Sequence, residues 1–162
     1  MEKIPVIGWA LIALMVGLGA APATSAPPPS AVPFVTLALG SRSAIIVPTQ
    51  AVIRDTAAWT ALWRGHTGSP SASAPAVDFQ AAIVIAIFAG RSPASTAVAI
   101  RRILSDETRL VVQYTQGERR PLPMPEEMEA TPFHIVRVAR SARAVRFLLL
   151  KTPPVLRPGP GS

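Results

Sequence analysis

The chain of 162 residues contains no cysteine. That excludes a disulfide framework, a cysteine-ligated metal centre and a lipid-modified cysteine near the N-terminus. Acidic side chains are scarce as well: nine Asp and Glu stand against sixteen Lys and Arg, for a formal charge of +7. Only Lys3 and Lys151 are lysines, so the positive surface is almost wholly guanidinium. A surface of that sign fits acidic proteins, anionic envelope polymers, membrane surfaces or nucleic acid, although an Arg-, Ala- and Pro-rich composition also follows from coding bias alone. Histidine occurs only at His66 and His134, and neither lies in an H-E-x-x-H or comparable ligand spacing. A G-x-S-x-G elbow, a P-loop and a G-x-G-x-x-G turn are all missing. No metal, nucleotide or other cofactor is therefore expected, and no motif discloses a reaction.

What is present begins with an export signal. Glu2 and Lys3 precede an uncharged run from Ile4 to Ala21, followed by the small-x-small pattern Ala21-Pro22-Ala23. These are the parts of a secretory signal peptide. Cleavage is expected after Ala23; Ala26 is a second site, disfavoured by the Pro27 that follows it. The other reading is a retained anchor, since about 18 apolar residues lie near the lower limit for a spanning helix. Membrane contact would then run through this segment alone. Either way the folded part is expected outside the cytoplasm, in the periplasm or the extracellular space. Residues 24–33 are rich in Pro, Ala and Ser and read as an extended linker. The folded domain is expected over 34–151, with a disordered Pro/Gly-rich tail over 152–162.

The most informative stretch is DTAAWTALWRGH, from Asp55 to His66. Trp59, Leu62, Trp63 and His66 fall at i, i+3, i+4 and i+7, one face of an α-helix. Asp55 stands at the N-cap, and Gly65 and Gly68 mark the other end. Paired indoles at this spacing read as core. Around the helix the pattern is of short strands: 34–39, 43–47, a lead at 50–53, 82–88, 96–103, 109–115, 133–140 and 144–150. AIVIAIF, from Ala82 to Phe88, reads as a central strand buried on both faces. The strands from 82 to 115 suggest an antiparallel meander, and the last two a hairpin with Val145, Phe147 and Leu149 inward. The expected fold class is α+β, a mostly antiparallel β-sheet of six to eight strands packed on one Trp-bearing helix.

Several groups could carry function. His66 shares the face of the two Trp and reads as a buried or terminal histidine satisfied by a nearby acceptor; His134 reads as a packed strand residue. A serine hydrolase built on Ser95 and His134 lacks its motif. Glu126, Glu127 and Glu129 are close enough in sequence to raise carboxylate-pair chemistry, but such a run is usually a solvated loop. Arg137, Arg140, Arg143 and Arg146 span the last two strands and read either as an anion-binding patch or as the solvated, aggregation-resistant face of a hairpin. Nucleic acid is not expected as a partner, because the nearest aromatics, Phe133 and Phe147, read as core and not as a stacking platform.

Taken in order, VIRDTAAWTALWRGHTG (52–68), VDF (77–79), FAGRSP (88–93), PFHIVRVARS (132–141) and VRF (145–147) resemble the C-terminal domain of PrcB-type protease-complex subunits. In that family a D-x-x-x-W-x-x-L-W helix leads to an Asp-Phe pair, and a strand then ends in a G-x-[RS]-P-[ST]-G-G-Y turn. A P-x-H-I-V-like strand comes last. The match covers about Val52 to Phe147. Here Ala94-Ser95-Thr96-Ala97 replaces the end of the family's turn, removing two glycines and an aromatic. The resemblance implies a non-enzymatic, exported accessory subunit that binds and stabilises another exported protein, a peptidase. Arg91, Ser92, Pro93, Ala94, Ser95 and Thr96, with the excursion 116–131, become the expected contact loops. A protease inhibitor inserting a loop into a cleft belongs to the same class. An envelope protein holding anionic ligands on its basic sheet face is the alternative.

Overall fold

The computed structural model describes residues 28–118 and 129–151. The expected signal segment, residues 24–27 of the expected linker, residues 119–128 of the expected contact excursion, with Glu126 and Glu127 among them, and the expected tail lie outside the described residues.

Ala82–Phe88 forms a strand in which all seven residues are buried. Alternate side chains leave a strand on opposite faces, so burying both sets requires a layer on each side. The chain supplies those layers with β1 (Ser30–Val32), β2 (Phe34–Gly40), β3 (Thr49–Ile53), α1 (Thr56–Thr67), β4 (Ala82–Phe88), β5 (Ser92–Pro93), β6 (Thr96–Ser105), β7 (Arg109–Glu118), β8 (Glu129–Ala130), β9 (Phe133–Ala139) and β10 (Ala144–Leu150). One four-stranded sheet has the order β2-β9-β4-β3, a second β1-β6-β7-β10, and β5 pairs with β8 as a short ribbon. Ile83, Ile85 and Ile87 of β4 meet Val98, Ile100 and Ile103 of β6 and Leu110, Val112 and Tyr114 of β7 between the two sheets. Val84, Ala86 and Phe88 point the other way, against Trp59, Phe79, Phe133 and Ile135, with Leu62 and Trp63 alongside. The α+β class is as expected, with the Trp-bearing helix packed on mostly antiparallel sheet.

The helix forms for the reasons its sequence displays. Asp55 is extended, and its Oδ1 accepts the N–H of Ala58 at 2.8 Å. Gly68 takes a left-handed φ of +67° and ends the helix. Gly65 lies inside the last turn and is not a terminator. Trp59 is fully buried, and its indole N–H donates to the carbonyl of Pro75 at 2.8 Å, which ties the loop 69–77 down over the helix.

The pairing departs from the sequence expectation in four places. Residues 43–47 form a loop and not a strand. Ser30–Val32, inside the stretch read as linker, pairs antiparallel with β6. β4 does not begin a meander: it pairs with β3 and β9, while β6 and β7 form their own hairpin in the other sheet. β9 and β10 are not a hairpin either. The chain crosses from one sheet to the other at 140–143, and β10 runs parallel to β7. Val145 and Phe147 pack into the core as expected, but Leu149 is half exposed at the sheet edge.

Candidate functional site

The connections 41–48, 89–91 and 131–132 converge at one end of the β2-β9-β4-β3 sheet and hold one another through backbone hydrogen bonds. Ala89 N donates to Pro132 O at 2.9 Å, Arg91 N to Ile46 O at 3.0 Å and Thr131 N to Ser41 O at 2.9 Å. Thr131 Oγ1 receives the N–H of Ser43 at 2.6 Å and donates to the Ser43 carbonyl at 2.7 Å. The close approach depends on Gly90, whose φ is +72°. A Cβ there would stand 2.7 Å from both N and Cδ of Pro48, closer than packed atoms allow. Ile46 and Val47 are thereby fixed in place with their side chains 48% and 60% exposed.

The expected contact turn lies beside this pair. Ser92 and Pro93 are not simple turn residues: they pair with Ala130 and Glu129 in the β5–β8 ribbon. Arg91 makes a surface ion pair with Glu129 at 3.4 Å. Ala94, Ser95 and Thr96 are half-buried where the chain enters β6. Sequence reasoning missed Ile46 and Val47, which were read as part of a strand. The signal available was Pro48 immediately after them, a residue that cannot donate to a ladder.

His66 and Ser43 form a second grouping beneath the same loop. His66 Nδ1 is 2.9 Å from Ser43 Oγ, and that oxygen also accepts the N–H of Ile45 at 3.1 Å. The imidazole packs against Phe133 at a centroid distance of 4.2 Å and against Phe88 and Trp63. Burial holds its pKa below the ordinary value, so it is neutral near pH 7. A pocket of about 340 Å³ opens over Arg42, Ser43, Ala44, His66 and Thr67. As a nucleophile site the arrangement is poor. It sits at the carbonyl end of α1, where the helix dipole disfavours a developing alkoxide, and the nearby N–H of Ala44 already donates to His66 O at 2.8 Å.

The Ser95 and His134 pair, disfavoured in the sequence for want of a motif, does not assemble either. His134 lies between the sheets, accepting the N–H of Ile100 on Nδ1 at 2.8 Å, with Nε2 2.9 Å from Thr36 Oγ1. Ser95 is not among its partners.

The four candidate arginines are dispersed by the crossover. Arg137 is exposed on β9, on the opposite face of its strand from Val136 and Val138, which fill the inter-sheet core. Arg140 donates to the Phe79 carbonyl. Arg143 donates to Ser105 Oγ at 2.9 Å and to the Glu107 carbonyl at 3.4 Å. Arg54, unremarked in the sequence, donates to the carbonyls of Ser141 and Arg143 and so fastens the crossover. Arg146 alone reaches the outward face of β10. The single patch expected from their spacing does not form, because a hairpin was needed to bring them together.

Among the described residues, no group of three His, Cys, Asp or Glu is placed to hold a metal ion, and no helix is long and apolar enough to cross a membrane. Comparison of the chain with protein-family models, curated proteins and solved structures returns no match.

Proposed function

We propose that the chain is an exported, non-enzymatic protein-binding module, an accessory subunit that engages another exported protein through the loop end of the β2-β9-β4-β3 sheet. The observation that carries this reading is the exposed Ile46–Val47 pair, held rigid beside Gly90, Arg91 and the β5–β8 ribbon. Apolar side chains presented on a pre-organised loop and rimmed by an ion pair have the make-up of a protein-binding centre. Burying one such side chain contributes about 1.5–3 kcal/mol. The family resemblance supplies the class of partner, a peptidase, and Arg91 to Thr96 lie within the same surface. Binding through Ile46 and Val47 does not need the glycines and the aromatic missing from positions 94–97.

The test is a pull-down of the chain from envelope extract at low and at roughly physiological salt, repeated with Ile46→Asp/Val47→Asp. The reading expects one stoichiometric protein at both salts and its loss in the double variant. A heterogeneous set that salt removes, unchanged by the double variant, counts against it.

A further inference from the structure

Among the described residues, the β1-β6-β7-β10 sheet buries one face and leaves the other uncovered. Ile100, Ile103, Leu110, Val112 and Tyr114 fill the core, so the alternate residues of the same strands face outward. In register, Leu104, Val111 and Arg146 form one outward row, and Arg102, Gln113 and Leu148 form the next. The register shift between Ile100 and Arg102 makes Arg101 an extra residue. Its Nε donates to Thr115 Oγ1 at 2.9 Å, which brings it to the outward side as well, in the row of Leu150. Three exposed guanidiniums therefore stand among Leu104, Val111, Leu148 and Leu150. None of the three is in an ion pair among the described residues. The stretches 96–105, 109–117 and 144–150 contain no Asp or Glu. With strands about 4.8 Å apart and the two rows two residues apart along the strand, Arg102 and Arg146 are separated by roughly 12 Å, a spacing suited to separate headgroups.

We infer that this face docks on an anionic lipid bilayer. The charge is complementary, and guanidinium groups bind phosphate through paired N–H donors. The leucines beside them, of which Leu148 is exposed and Leu104 and Leu150 half-buried, are aliphatic groups of the kind that enter the headgroup layer. The fold also brings the face to the membrane. β1 starts at Ser30 on the edge of this sheet, and only residues 22–29 separate it from the apolar run ending at Ala21. At about 3.5 Å per residue they span ~28 Å at most, so while that run is attached and inserted the sheet stays within this distance of the bilayer.

Partitioning of the full chain is measured on vesicles of phosphatidylcholine alone and of phosphatidylcholine with phosphatidylglycerol. The apolar N-terminal run binds both, so the ratio of the two partition coefficients isolates the face. Each arginine near the surface contributes roughly fivefold, which sets a ratio of about a hundredfold for three, falling as salt shortens the Debye length. Arg101→Gln/Arg102→Gln/Arg146→Gln brings the ratio close to one, and Arg137→Gln, on the other sheet, leaves it unchanged. The single variants, each lowering it about fivefold, serve where the triple variant fails to fold. Equal ratios for wild type and the single or triple variants would overturn the inference. So would wild-type retention on heparin, a soluble polyanion, without any preference for the anionic vesicles.

Discussion

His134 accepts the backbone N–H of Ile100 at 2.8 Å, joining β9 of one sheet to β6 of the other at the point where β6 bulges. An N–H can donate only to a lone pair, so Nδ1 is unprotonated and the ring carries its proton on Nε2, which faces Thr36 Oγ1 at 2.9 Å. The imidazole thus satisfies a backbone group that the bulge leaves without a ladder partner. His134→Phe keeps an aromatic ring, somewhat larger than the imidazole, and leaves the N–H buried and unpaired. We expect a loss of about 1–3 kcal/mol, read by urea unfolding, with an unchanged m-value.

The same geometry makes stability depend on pH. Burial, and then the Arg101 charge, hold the pKa of His134 below its ordinary 6.5. Burial does the same to His66. The unfolded chain takes up protons first as pH falls, so both histidines contribute full stability above about pH 6.5 and lose it as pH drops from there towards their lowered folded values. Unfolding midpoints measured from pH 8 to pH 5 should fall over the acid half of that range. The fall should be shallower in His134→Phe; an identical slope would show that the ring does not resist protonation.

Three glycines should respond in opposite directions. Gly90→Ala meets Pro48 at 2.7 Å with a positive φ, and should cost about 2 kcal/mol or more and release the loop 41–48. Gly68→Ala carries the left-handed penalty with a milder contact, Ala44 Cβ at 3.1 Å, and should cost about 1–2 kcal/mol. Gly65→Ala meets nothing within 4 Å in a helical position and should stabilise by about 0.5–1 kcal/mol. Thermal melts of the three variants check the order.

Ser43 should be inert towards a fluorophosphonate probe, because the helix carbonyl end and the committed Ala44 N–H leave an alkoxide unsupported. Labelling of Ser43 that disappears in His66→Ala would contradict the non-enzymatic reading.

The helix was legible because its determinants are local: the Asp55 cap, the spacing of Trp59 and Trp63 and the Gly68 terminus lie within fourteen residues of one another. β4 was legible because seven apolar residues in a row need cover on both sides. Pairing was not. Whether Ala144–Leu150 joins β9 or β7 depends on the crossover at 140–143, and that is fixed by Arg54, remote in the chain. The arginine patch was misplaced for the same reason: Arg137 and Arg146 occupy adjacent strands in sequence but different sheets in space. Ile46 and Val47 carry a strand-like pattern, and only the Pro48–Gly90 contact shows why they are held out as a loop.

The loop end is proposed to meet a protein partner. A photo-crosslinking side chain at position 47, activated in cells exporting the chain, tests it most directly, with position 137 as the control. The account predicts a single adduct of defined mass from position 47, containing an exported peptidase, and none from position 137. No adduct at 47, or the same mixture from both positions, would contradict it.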